Sequence, residues 1–238
     1  MPDDAQIIYL HHSTGGVIWD GGVADAVAAY DDANGTSYAI TERAFPSGDP
    51  YPWENYPYDY WNIWVSHAGP DPYQTEPTLE ILTAQYAVIV FKHCFPVSGI
   101  EPDTGSPDIT SSTKSLENYH LQYDALKAKL HEFPANRFLV WTGAALTAGS
   151  TTPDQAARSR EFFTWVRTVW DEPGDNIFVW DFFELETEGG NVLPVANAAS
   201  ADDSHPNAAF AARVAPLFVN RLVSVILGTG DLTSLTGE

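Results

Sequence analysis

Gln6-Ile7-Ile8-Tyr9-Leu10-His11-His12-Ser13-Thr14-Gly15-Gly16 changes character once. An apolar, β-branched run gives way to polar residues and then to two glycines. Near-continuous apolar character is what a parallel strand covered on both faces requires. The glycines and the following VIWDGGVADAVAAY, Val17–Tyr30, read as a tight strand-to-helix turn. Four further runs repeat the strand signature: Thr36–Ile40, Tyr86–Phe91, Arg137–Trp141 and Ile177–Asp181. Helical patterns separate them. Leu116, Tyr119, Tyr123, Leu126, Leu130 and Phe133 form one apolar stripe. Thr152, Pro153 and Gln155 read as N-cap, first-turn proline and capping-box partner of a helix burying Phe162, Phe163, Val166 and Val169. A last helix from about Asn207 carries Ala211, Val214, Ala215, Phe218, Leu222 and Val225. Strands alternating with helices predict an α/β fold with a mostly parallel five-stranded sheet.

The 238 residues suit one domain, 1–238, with a long aromatic-rich insertion at about 42–80. Eleven basic against 32 acidic residues give a formal charge of -21. A phosphate backbone needs a basic surface, so nucleic acid is excluded and an anionic membrane disfavoured. The single cysteine, Cys94, excludes an intramolecular disulfide and a thiolate-rich metal centre. No run of 18 apolar residues predicts a membrane span, and MPDDAQIIYLHHS does not read as a signal peptide. Compartment and oligomeric state stay open, and no cofactor is expected.

In open parallel sheets ligands bind beyond the carboxyl ends of the strands. His11, His12 and Ser13 lie at the first such end, Lys92, His93 and Cys94 at the third, and Asp202-Asp203-Ser204-His205 just before the last helix. A hydroxyl at a strand-to-helix turn is placed for attack on a carbonyl, but needs a base. His205 is the natural base for Ser13. Asp202, three residues upstream, is the expected orienter, with Asp203 an awkward alternative. The plain structural readings are that Ser13 caps the first helix and that Asp203 or Ser204 caps the last.

Taken together, Ser13 and Asp202-Asp203-Ser204-His205-Pro206-Asn207 resemble the SGNH, or GDSL-like, hydrolases over about Ile7–Leu222. The resemblance implies a flavodoxin-like three-layer α/β/α fold and ester or acyl-transfer chemistry. Ser13 matches the nucleophile and the D-x-x-H turn matches the remaining pair. The usual Gly-Asp before the serine is His11-His12 here. Lys92-His93-Cys94-Phe95 replaces the usual Gly-x-Asn-Asp, putting Cys94, a poor donor, where an oxyanion-hole Asn is expected. Lys92, His93 or a site-lining His12 are the alternative donors, and Gly48 and Gly69 are candidates for the second oxyanion residue.

Trp53, Trp61 and Trp64 are candidates for a carbohydrate platform, against the alternative that they weld the insertion to the body. An O-acetyl group on a carbohydrate is the expected substrate. The other readings are a noncatalytic carbohydrate-binding domain, a metal-dependent hydrolase using strand-end histidines, a Cys94 nucleophile and a carboxylate-pair glycosidase.

Overall fold

The computed structural model describes all residues but Trp53. The chain runs β1 (Gln6–His11), α1 (Ser13–Asp20), α2 (Val23–Asn34), β2 (Ala39–Ala44), α3 (Pro57–Trp61), α4 (Leu79–Gln85), β3 (Val88–Phe91), α5 (Leu116–Leu130), β4 (Arg137–Trp141), α6 (Pro153–Trp165), β5 (Ile177–Trp180), α7 (Phe182–Thr187), β6 (Ala198–Ser200), β7 (Asp203–Pro206) and α8 (Ala208–Leu227). Strands β1 to β5 form one parallel sheet in the order β2-β1-β3-β4-β5, and β6 and β7 form a separate antiparallel pair. The expected three-layer α/β/α architecture is what the chain adopts.

Alternation along the strands sorts the core into two layers. Ile8, Leu10, Ile89, Phe91, Phe138 and Val140 face Tyr60, Leu126 and Phe162, on the side of α3, α5 and α6. Ile7, Tyr9, Val88, Val90, Leu139 and Trp141 face Ile18, Val27 and Phe218, on the side of α1, α2 and α8. By length and hydropathy α8 could cross a membrane, yet most of it is buried in the second layer, as a core helix should be.

Two differences from the sequence reading have local causes. The second strand begins at Ala39 rather than Thr36, because Asp31 accepts from the Thr36 hydroxyl and the Tyr38 N–H and holds the start of the run in a turn. Val169 is 60% exposed and Trp170 takes the buried place. Residues Val166–Trp170 wind as a π-helical turn, which shifts the inward position by one residue.

Candidate active site

Ser13 is the first residue of α1, directly beyond β1. His12 rather than Ser13 occupies the N-cap position of this helix, so the capping reading of Ser13 is not what the fold uses. Its side chain is exposed, with Oγ 3.1 Å from Cys94 Sγ. Gly15 explains the close seating of α1. A Cβ there would stand 2.4 Å from both the Tyr9 hydroxyl and His11 Cβ.

The two histidines before Ser13 part, as alternation requires. His11 lies buried, stacked on Tyr9 at 4.4 Å, and donates from Nε2 to Glu42 at 2.7 Å. Burial, reinforced by the charge of Lys92, pushes its imidazole down to about 4. His12 is half-buried and donates from Nε2 to the Pro46 carbonyl, in the loop after β2. That loop is tied down in turn by Glu76, whose buried carboxylate accepts from the Ser47 N–H at 2.6 Å and from the Ser47 hydroxyl. His12 thus braces the turn that carries Ser13 against the loop containing Gly48.

His205 is half-buried on β7, and its Nδ1–H donates to Asp203 Oδ1 at 2.6 Å. The same oxygen accepts from the His205 backbone N–H at 3.0 Å. Asp203, not Asp202, therefore orients the ring. The physical reason is the short strand: side chains at i and i+2 share one face of extended chain, whereas the sequence reading assumed a tight turn. These bonds hold the Asp203 carboxyl below the usual carboxylate range, the backbone N–H contributing most. Asp202 lies in the hairpin turn, its carbonyl accepting from Ser150 Oγ and its carboxylate beside Gly149. Ser204 is buried and accepts from the Thr147 N–H at 3.0 Å, pinning β7 to the loop after β4. Asn207, rather than Asp203 or Ser204, caps α8.

Phe95 links the two halves of the site. Its ring meets His205 edge-on at 5.2 Å, and its chain neighbour Cys94 touches Ser13. Helix α1 also packs on β7. Among the described residues no hydrogen bond engages His205 Nε2. Phe95 was not singled out from the sequence, where nothing but its position after Cys94 could have suggested it.

Beyond β3 the alternation continues and separates the three expected donors. His93 turns to the α5 side, wholly buried, with Nε2 2.5 Å from the Tyr123 hydroxyl and its ring edge-on to Tyr60. Burial holds its imidazole well below the usual range. It is a core residue, away from Ser13. Lys92 and Cys94 lie on the opposite, α1 side.

The aromatic insertion is welded to the body. Trp64 is fully buried, donates Nε1–H to the Pro77 carbonyl at 3.1 Å and packs on Phe45, Tyr60 and Phe91. Trp61 is buried as well, so neither offers a stacking face. Trp53 lies outside the described residues. Gly69 has a left-handed φ of 150° with open space around it, and its carbonyl accepts from Thr78. Among the described residues no three His, Cys, Asp or Glu side chains converge as a metal site would require. Each of the strand-end histidines instead commits one ring nitrogen, to Glu42, Pro46, Tyr123 and Asp203 in turn.

Fold and site together define a three-layer α/β/α protein with a serine and an aspartate-held histidine at the carboxyl edge of its parallel sheet. Among solved structures the chain is similar to BT4096, a gut microbial diltiazem-metabolizing enzyme, at 9% identity and a TM-score of 0.51. The likeness covers 97% of this chain but 48% of that one, so the chain spans about half its length and the similarity shows the fold. No protein-family model matches the chain, and no curated protein matches it.

Proposed function

We propose that the chain is a serine hydrolase of the SGNH type that cleaves an O-acyl ester, an acetyl ester foremost. The observation that carries this is the pairing of an exposed Ser13 at a helix start with a His205 whose Nδ1–H is held by Asp203. In this reading Ser13 Oγ attacks the ester carbonyl while His205 Nε2 takes its proton. The tetrahedral adduct collapses by breaking the bond to the alkoxy oxygen, to which His205 returns the proton. Water, deprotonated by the same nitrogen, then adds to the acyl carbon, the bond to Ser13 Oγ breaks, and His205 returns the proton to Oγ as the acid leaves. Asp203 fixes the ring tautomer and stabilises the imidazolium.

The backbone N–H groups of Ser13 and Thr14, at the first turn of α1, serve as donors for the oxyanion, that of Gly15 being committed to the His12 carbonyl. The likeness to a diltiazem-metabolizing enzyme supports a small organic substrate. Burial of Trp61 and Trp64 removes two of the three rings expected to form a carbohydrate platform, so acetylated sugars are one class among several. Cys94, a weak donor beside Ser13, favours the second reading of a noncatalytic domain on the same fold.

The test is turnover of 4-nitrophenyl acetate and a panel of acetylated sugars and small acetate esters. S13A and H205A are expected to reduce kcat/KM by at least about 10³-fold with the fold intact. Turnover by S13A at the wild-type rate would remove the assignment, and ligand binding without turnover would establish the noncatalytic reading.

A further inference from the structure

Lys92 is wholly buried, and among the described residues its Nζ has no hydrogen-bonding or ionic partner. Both facts are unusual for an ammonium, which is expensive to remove from water unpaired. Its direction is fixed by alternation. Val88 and Val90 belong to the layer under α1 and α8, Ile89 and Phe91 to the other, and His93 continues the second series into Tyr60 and Tyr123. Lys92 and Cys94 therefore share the α1 side, and Cys94 is the residue in contact with Ser13 Oγ, at 3.1 Å. The register places Lys92 one step beyond the pairs Leu10–Phe91 and Phe91–Val140, between His11 and Trp141. Burial lowers the affinity of His11, His12 and His93 for protons, and a charge on Lys92 lowers it further.

We propose that the Lys92 ammonium is the electrostatic counter-charge for the oxyanion formed at Ser13, acting through the field from behind Cys94 where an amide donor is lacking. The inference rests on the serine-hydrolase reading. Its physical basis is differential. In the resting protein the ammonium is unpaired and desolvated, so it destabilises the ground state. When the carbonyl oxygen becomes negative, the same charge gains a partner in a water-poor interior, where Coulomb attraction is least screened. Burial pulls Lys92 below the usual lysine range. An anion forming at Ser13 opposes that pull, so the proton is held most firmly at the step that uses it.

K92M, similar in volume and uncharged, separates this from a structural role. The expected result is a kcat lower by roughly 100-fold with KM little changed. Affinity for an alkylboronic acid, which forms an anionic tetrahedral adduct on serine, should weaken by a comparable factor. Thermal stability should stay level or rise, because an unpaired buried charge has been removed. K92Q, which keeps an N–H donor without the charge, should fall near K92M and serves as the second variant should K92M fold poorly. Wild-type kcat and boronate affinity in a folded K92M would overturn the inference while leaving the Ser13 assignment standing, and so would a loss of activity that tracked a loss of stability in both variants. Absence of turnover and of boronate binding in the wild type would instead remove the hydrolase reading, and this inference with it.

Discussion

Asp202 and Asp203 are chain neighbours with opposite expected roles. Only Asp203 reaches the His205 ring, so D203N should lower kcat by on the order of 10²-fold or more, while D202N should keep close to wild-type turnover. Steady-state kinetics of the two variants on one ester checks this, and the reverse ranking would show that the hairpin rearranges on binding. The pair also marks where sequence reading stops. That an aspartate would orient His205 was legible. Which one depended on whether 203–206 is extended or turned, and a strand of four residues leaves too weak a pattern to tell.

Buried titratable residues extend the residue-scale argument to pH. Glu186 is fully buried, and burial pushes its carboxyl from the ordinary 4.5 to about 8. The folded state then holds a proton that the unfolded state has lost, so stability should fall as pH rises from about 4.5 through 8. His11 acts at the other end. Its imidazole goes from 6.5 to about 4, so the unfolded chain binds the proton first, and stability should fall as pH drops through that window. Asp171 and Asp59, pushed up by burial to about 7 and about 6, add to the lower part of that slope, so chemical denaturation against pH should show E186Q with a shallower slope, most clearly between about 7 and 8, and an unchanged acid one. An unchanged alkaline slope would show that Glu186 is ionised in the fold.

At the scale of elements, the site is held by how α1 and α8 meet. A Cβ at Gly21 would stand 2.6 Å from the backbone carbonyl carbon of Ala211, so these helices cross in near backbone contact. Helix α1 begins with Ser13 and α8 follows His205 by three residues. G21A should force the pair apart, lowering stability by about 1–3 kcal/mol and lowering kcat with it. A melting temperature and kcat equal to wild type would mean the crossing is looser than described. At this scale the sequence was most informative where patterns were long or chemically marked. β4 falls on Arg137–Trp141 as read, and the Thr152–Gln155 capping box is formed. It was least informative where a side chain outside the pattern intervened, as Asp31 does at β2, or where a helix changed its winding, as at Val166–Trp170.

The whole molecule carries a formal charge of -21 on a body whose core is complete. Self-repulsion at that charge opposes compactness and is screened over about 10 Å at 0.1 M salt. The melting temperature should therefore climb with sodium chloride at neutral pH, and a flat profile would mean that local pairing already offsets the acidic surface. The charge excess and the sheet were both legible in the chain. The joining of strand ends into one site was legible only as a rule about parallel sheets, and the contacts through Cys94 and Phe95 had to be seen.

The central claim is that Ser13 is an activated nucleophile, and intact-mass measurement after incubation with a fluorophosphonate probe tests it most directly. The account predicts one adduct on the wild-type chain and none on S13A. Equal labelling of both, or none on folded wild type alongside undiminished ester turnover by S13A, would contradict it.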